Sequence, residues 1–363
     1  MMNKDDLNKE NLNKENHNED DEKEIDGIFD NLKNTKLKKT IKKAKWHSIL
    51  RIVVVSLLVI GVVMAGMVGG SILSRNMLQR MDGDIQMAVD DYNLISAPNK
   101  YIGEISRYHN VLAGRSEYTT YKIIEGKVVN TGDGQYYYGV FQNPFGNRFG
   151  VDYPRIFEAS FCDNDLEIQR YDTLGHREMV FFYPFINYPQ YKNDLEIVKN
   201  MEPDKLAEIA LSFDKAYSMD EVKNMLPNNV TLSWYWVDDL SPSEKKSYVA
   251  ETKGDSKEKS YSARICSEQI AFGIKAYGNN GEPLVNPEQD VFRAIERGIK
   301  FGTMFKADFE RVHNNIAGKD GKLTKDSIKV FGVVVTGNKD SLGTLAKLNF
   351  IKASSMGVVT DKY

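Results

Sequence analysis

One stretch dominates the hydrophobic pattern of this chain. From Ile52 to Leu73 it reads IVVVSLLVIGVVMAGMVGGSIL, twenty-two residues without a charge. At about 1.5 Å of rise per residue a helix of that length covers roughly 33 Å, enough to cross the hydrocarbon core of a bilayer. A buried core helix rarely runs so long without a charged position. Fifty-one residues precede the run, more than the n-region of a cleavable signal peptide, so the pattern predicts an uncleaved transmembrane helix over 52–73.

Ahead of the span the texture is different. Residues 1–24 are Asn, Lys, Asp and Glu with almost no apolar side chain, a composition that buries too little surface to offset its ordering entropy and predicts disorder. Ile25, Ile28, Phe29 and Leu32 then fall at i, i+3, i+4 and i+7, the apolar stripe of a short helix. Leu37 and Ile41 continue it imperfectly. An amphipathic helix this short is marginal alone in water, so the stripe calls for a membrane surface or a partner's groove. The 25–51 segment is otherwise basic. Between Asn31 and Arg51 stand Lys33, Lys36, Lys38, Lys39, Lys42, Lys43, Lys45 and Arg51 and no acid, whereas only Arg75 and Arg80 are basic over a similar length after the span. That bias predicts a cytoplasmic N-terminus and an extracellular C-terminal domain, with Lys42, Lys43, Lys45, Trp46 and Arg51 as the flanking membrane anchor. The net charge of −3 conceals this asymmetry. Within the span, Gly61, Ala65 and Gly69 are spaced four apart, as are Gly66 and Gly70, a weak signal for close helix packing.

Beyond the span the pattern turns to strands. YTTYKIIEGKVV (118–129), QYYYGVF (135–141) and REMVFFYPF (177–185) carry aromatic and branched residues, and turn signals at Asn130–Gly134 and Asn143–Gly146 separate strands in a region of 74–200. From 201 to 363 the order is strand, helix, strand, in LAEIALSF, SMDEVKNML and VTLSWYWV. A second such unit follows in SIKVFGVVVTG, a helix within Lys339–Leu348, and FIKASSMGVV. The 337–350 connection is long enough for a crossover between parallel strands. AFGIKAY reads as a further strand with a turn at Gly278–Gly281. Asn286-Pro287 opens a helix with Asn286 as N-cap, Gln289 at the capping-box position and Phe292, Ile295 and Ile299 inward. The sum is an α+β chain: a disordered tail, one transmembrane helix, a strand-rich exterior region, and an α/β sandwich with β-α-β units.

Catalytic patterns do not stand out. His109, His176 and His313 are widely separated, with no HExxH or paired Cys/His spacing, no GxSxG elbow, no SxxK and no glycine-rich phosphate loop. Asp238–Asp239, after the SWYWV strand, reads as a solvated strand end rather than a cation site. The two cysteines, Cys162 and Cys266, read as ordinary buried thiols more readily than as a disulfide across such a separation. The reading is a non-enzyme with no metal, cofactor or direct nucleic-acid contact. Heavy Asn, Lys and Ile usage is in keeping with a low-GC Gram-positive bacterium.

Particular strings, in order, resemble a known family. KKAKWHSILRIVVVSLLVIG (42–61), ISAPNKYIGEIS and YKIIEGKVV, followed by LAEIALSFDKAYSMDEVKNMLP, VTLSWYWVDD, FGIKAYG, FGVVVTGNKDSL and FIKASSMGVVTD, resemble the bacterial sigma-factor regulators. These are membrane-bound anti-sigma factors of extracytoplasmic-function sigma factors. The resemblance implies that the cytoplasmic segment holds a sigma factor at the membrane while the exterior domain senses envelope conditions, as in envelope stress. Helical spacing alone nominates Ile25, Ile28, Phe29 and Leu32 as the sigma-contacting face. A tail this short leaves room for a second small membrane protein to share the work. The alternative is an exterior binding module for a cell-wall component or envelope protein, with the tail only an anchor.

Overall fold

The computed structural model of the protein describes residues 35–142, 157–162, 169–251, 260–302 and 304–363. It is mixed helix and sheet, and it divides into two units between Leu73 and Ser74. The stripe at Ile25, Ile28, Phe29 and Leu32, and the expected turn at Asn143–Gly146, lie outside the described residues.

Helix α1 runs from Thr35 to Ile95, 61 residues. In the first unit it carries the apolar run, whose large side chains from Ile52 to Leu73 are all exposed. A helix apolar on every side and uncovered by protein has the character of a membrane span, and the chain has one helix of that length and apolarity among the described residues. Among the described residues, nothing beyond the helix's own adjacent turns comes within 4 Å of where a Cβ would stand on Gly61, Gly66, Gly69 or Gly70.

The second unit opens with a correction. Residues 74–95, read from sequence as the beginning of a strand-rich region, are helical. Leu78, Ile85, Val89 and Tyr92 form a stripe at helical spacing, and Leu78, Ile85 and Val89 are buried against Tyr136 and Tyr138 of the sheet that follows. Asp82 interrupts the stripe, so apolar spacing alone does not mark it. The helix stops at a sharp local signal: Ala97 takes φ 50°, Pro98 follows, and the Ser96 hydroxyl donates to the Tyr92 carbonyl at 2.6 Å.

Strands β1 (Lys100–His109), β2 (Ala113–Ile124) and β3 (Lys127–Gly139) form an antiparallel sheet in that order. The turn between β2 and β3 falls at Glu125–Gly126, both with positive φ (50° and 79°), the twist a two-residue hairpin favours. The Asn130–Gly134 signal is therefore not a turn but a bulge inside β3. Asn130 and Gly132 face consecutive residues of β2, leaving Thr131 extra, and Asn130 Oδ1 accepts from the Gly132 N–H at 2.8 Å.

After β4 (Phe157–Cys162), β5 (Arg170–Tyr171), β6 (Arg177–Glu178), β7 (Val180–Phe181) and the short α2 (Leu195–Val198), the chain builds its main sheet. This contains β8 (Lys205–Tyr217), β9 (Thr231–Val237), β11 (Gly273–Lys275), β12 (Val330–Asn338) and β13 (Ile351–Asp361), ordered β11-β9-β12-β8-β13. Every ladder is antiparallel. β8 and β9 still point the same way because β12 lies between them, and β12 and β13 likewise across β8. With α3 at Met219–Met225 and α7 at Lys339–Gly343, and α4 (Pro242–Glu251) following β9, β8–α3–β9 and β12–α7–β13 are interleaved split β-α-β motifs rather than neighbouring parallel strands. Helix α3 (Met219–Met225) begins with a full capping box between Ser218 and Glu221, and α7 (Lys339–Gly343) runs into a 3-10 turn at Thr344–Lys347.

Both faces of this sheet are covered. On one, Ile209, Leu211, Phe213, Val333 and Val335 pack against Val291, Phe292 and Ile295 of α5 (Pro287–Lys300) and Phe309 and Val312 of α6 (Lys306–Ile316). On the other, Ala210, Trp234, Trp236 and Val334 meet Phe181, Phe182, Ala263 and Ile265, carried by β7 and β10 (Ser260–Ser267) and the segment after β7. Central strands buried on both sides read as continuous apolar runs, which is why FGVVVTG shows no alternation. Pro287 opens α5, but the Asn286 side chain makes no capping bond. Cys266 is a buried free thiol. Cys162 stands opposite Ser260, six residues away along β10 and so roughly 20 Å distant, which excludes their pairing.

Candidate functional site

The site is where the second unit grips Ser74–Ile95 of α1. Its centre is Asp82, buried in the middle of an apolar stripe. Asp82 Oδ1 accepts from the Ser116 hydroxyl at 2.7 Å and from the Tyr136 hydroxyl at 2.9 Å, and Oδ2 from Arg107 Nε at 2.7 Å. Arg107 Nη2 also donates to Gln86 Oε1 at 2.5 Å. Three strands thus converge on one helical carboxylate. Burial and the Asp82 hydrogen bond hold the Tyr136 phenol well above the ordinary tyrosine pKa, so it stays a donor. Replacing Asp82 by Ala strands two buried hydroxyls, each worth about 1–3 kcal/mol when left unsatisfied. Arg107 adds little because it is half exposed. The expected loss is about 2–6 kcal/mol, measurable as a lower denaturant midpoint, and Asp82→Asn should recover part of it.

Further along the helix, Asp91 forms a forked pair with Arg297 of α5, one arm through Nε at 2.8 Å and the other through Nη2. Lys275 of β11 donates to Asn93 Oδ1 and to the Lys100 carbonyl, both at 2.5 Å, and lies over the Tyr101 ring. Lys275 is buried. Burial pushes its pKa down to about 7, with Asp90 pulling weakly the other way. Tyr92 stacks on Phe305 at 4.0 Å between ring centres, and Ile95 enters the main core.

Behind this grip lies a buried charge cluster. Lys122 of β2 donates to Glu208 Oε1 of β8 at 2.5 Å and to both oxygens of Glu268 at 3.2 Å. Glu208 Oε2 accepts from Asn99 Nδ2 at 3.1 Å, Glu208 Oε1 from the Val358 N–H at 3.2 Å, and Glu268 from the Met179 N–H at 2.8 Å. Burial acts to lower the Lys122 pKa, but the two carboxylates outweigh it and keep the ammonium charged. The cluster therefore ties the three-stranded sheet to the main sheet through a fully buried pair, Lys122 and Glu208, with Glu268 slightly exposed beside it. Beside it, Asn99, Tyr101, Glu125, Ser233, Tyr277 and Thr336 line a half-open cavity of about 190 Å³.

None of these residues was singled out by the sequence reading. A signal was present: Lys122 and Glu208 are each the lone charge in an otherwise uncharged strand run, YTTYKII and LAEIALSF. The expected anchor residues Lys42, Lys43, Lys45, Trp46 and Arg51 all lie on α1 and are exposed. Asp238 and Asp239 are not a solvated strand end. Asp238 pairs with Lys245 at 2.5 Å, and buried Asp239 pairs with Arg311 at 2.6 Å. Burial pushes the Asp239 carboxyl up to about 6 despite Arg311. Among the described residues no group of three His, Cys, Asp or Glu side chains is arranged to hold a metal ion. What the site does chemically is hold a helix.

Two family models match the chain. The sigma factor regulator N-terminal model covers residues 38–129, and the sigma factor regulator C-terminal model covers 198–358. The chain belongs to the sigma factor regulator family. The N-terminal match takes in the apolar span, the gripped part of α1 and the β1–β2 sheet with the start of β3, while the C-terminal match takes in the main sheet. The Lys122–Glu208 pair therefore joins one family region to the other. Members of this family are regulators rather than catalysts, and an anti-sigma role, with a sigma factor as partner, follows from membership. The long apolar helix gives the regulator a single-pass membrane anchor. No curated protein sequence and no solved structure matches the chain at a significant level.

Proposed function

We propose that this sigma factor regulator holds an extracytoplasmic-function sigma factor at the membrane through a cytoplasmic tail, and that its exterior domain senses envelope conditions and triggers release. The observation that carries the reading is the composition of α1. One helix bears the apolar span and, from Leu78 to Ile95, the residues that the folded domain grips through Asp82, Asp91 and Asn93. A change in that grip has an unbroken helical path to the span. The lysine bias before residue 52 supports a cytoplasmic N-terminus, and the apolar stripe at Ile25, Ile28, Phe29 and Leu32 supplies the contact face.

The test is affinity purification of the full-length protein in mild detergent, with mass spectrometry of what accompanies it. A sigma factor of the extracytoplasmic-function type should accompany the wild type and disappear with Phe29→Asp, while the thermal midpoint of the folded domain is unchanged. Undiminished retention by that variant removes the stripe as the contact. Recovery of envelope proteins alone from the wild type removes the sigma-factor reading.

A further inference from the structure

The free end of the three-stranded sheet is apolar and uncovered. Val111 and Leu112, in the turn between β1 and β2, are 64% and 55% exposed, and Val140 and Phe141, just past β3, are 49% and 91% exposed. Tyr108 beside them is half exposed, with the Arg115 guanidinium over its ring at 5.4 Å. These side chains form one patch, because the Val140 N–H donates to the Leu112 carbonyl at 3.2 Å and Gly139 faces Ala113. The tip is also built to hold its shape. Asn110 Oδ1 accepts from the N–H groups of Leu112 and Ala113 at 3.1 and 2.9 Å. Gly139 sits at φ 141°, where a Cβ would come within 2.5 Å of the Leu112 carbonyl oxygen.

The position of the tip follows from contacts within the second unit. Lys275 binds both Asn93 and Lys100, so the start of β1 is level with Asn93. Arg107 binds both Asp82 and Gln86, so the far end of β1 is level with that turn of α1. The strand therefore runs back along the helix toward Ser74. From Arg107 to Val111 is four residues, about 13 Å at strand rise. From Asp82 back to Ser74 is eight residues, about 12 Å at helix rise. Lys100 to Arg107 is about 23 Å of strand against about 14 Å of helix from Asn93 to the turn at Asp82–Gln86, so the strand is inclined and its tip lies within about one turn of Ser74. The apolar run ends at the preceding residue, Leu73.

We propose that Tyr108, Val111, Leu112, Val140 and Phe141 insert into the headgroup–acyl boundary of the lipid leaflet beneath the folded domain. Aliphatic and aromatic side chains at that depth, with an arginine alongside, match the chemistry of a bilayer interface. The proposal rests on α1 crossing the membrane at 52–73 but not on which way the chain faces. It gives the domain a second foothold on the lipid, so the domain that grips Ser74–Ile95 also reads the surface it stands on.

Full-length protein in vesicles of phosphatidylethanolamine and phosphatidylglycerol, spin-labelled one site at a time, provides the test. Labels go on Leu112→Cys and Phe141→Cys, on Val128→Cys and Val285→Cys as exposed sites away from the tip, and on Val62→Cys within the span. Background labelling of the parent chain is subtracted. Leu112 and Phe141 labels should show a several-fold higher ratio of oxygen to aqueous-nickel collision than Val128 and Val285 labels. Adding Phe141→Asp should return the Leu112 label to the aqueous ratio. Tip labels as water-exposed as those at Val128 overturn the proposal, and tip labels shielded from both probes overturn it in favour of a protein covering. A water-exposed Val62 label would instead show that the span reading has failed, and the proposal with it.

Discussion

Lys122→Met should destabilise the folded domain by about 3–5 kcal/mol, the cost of leaving a buried charge without its partner. Lys122 and Glu208 are 2% and 0% exposed, so solvent does not compensate either one. Methionine fills the space of the lysine stem but leaves Glu208 buried beside Glu268 with no ammonium between them. The loss should shrink as the pH falls, because a protonated Glu208 no longer carries the charge that burial penalises. Adding Glu208→Gln should recover much of the stability, since the amide oxygen can still accept one of the bonds from Asn99 and Val358. Denaturant midpoints followed through Trp234 and Trp236, both buried in the core, measure both variants against the wild type. A double variant as unstable as Lys122→Met alone would show that packing, not charge, sets the loss.

Lys275 supplies the second large effect, with a defined sign. Its folded pKa is about 7, well below the value near 10.4 of a lysine in an unfolded chain. Between these values the unfolded chain binds a proton that the folded protein does not, so stability rises with pH. The slope approaches about 1.4 kcal/mol per pH unit, giving roughly 2–3 kcal/mol between pH 7 and 9, and flattens below pH 7. The window ends near pH 9 because tyrosines begin to ionise near 10. Several of them, Tyr101 and Tyr136 among them, have raised folded pKa values, chiefly from burial, and contribute the opposite slope. Lys275→Met should remove most of the rise and leave the same-sign contributions of Lys100 and Lys192, whose pKa values burial also lowers. The physical cause is burial; the acceptors at Nζ, Asn93 Oδ1 and the Lys100 carbonyl, are neutral, so an uncharged amine satisfies both with its two hydrogens and needs no counter-charge. A Lys275→Met protein whose midpoint climbs as steeply as that of the wild type would assign the slope elsewhere.

Lys275 belongs to the grip on α1 and Lys122 to the cluster behind it, and that region is where sequence and structure part company. The charge-free run from Ile52 to Leu73 needs no tertiary partner to be read, because its length and composition already make it insoluble in water and soluble in lipid. The Ser218–Glu221 capping box and the strand runs of the main sheet are also local, settled by groups three residues apart or by propensity along a few. Ser74–Ile95 was hidden because its stripe is helical only if Asp82 counts as an inward position, and Asp82 turns inward only when Arg107, Ser116 and Tyr136 are there to meet it. The same holds for the turn. Asn130–Gly134 has stronger turn chemistry than Glu125–Gly126, yet the pairing of β2 with β3 places the reversal at the weaker signal and makes the stronger one a bulge.

Local sequence was enough for the apolar anchor helix, for the two strand–helix–strand runs at 206–237 and 330–361, and for the family, but not for the helices at 242–251 and 306–316 or the strand at 260–267. The tertiary structure alone decided which charges are buried and against what. Lys122 and Glu208 stand 86 residues apart, Asp239 and Arg311 stand 72 apart, and Cys162 and Cys266 share one ladder six residues out of reach. A short window of sequence carries the energy of a helix cap or an apolar run, because those depend on near neighbours. The energy of a buried charge depends on a partner that only the closed fold brings within hydrogen-bond distance.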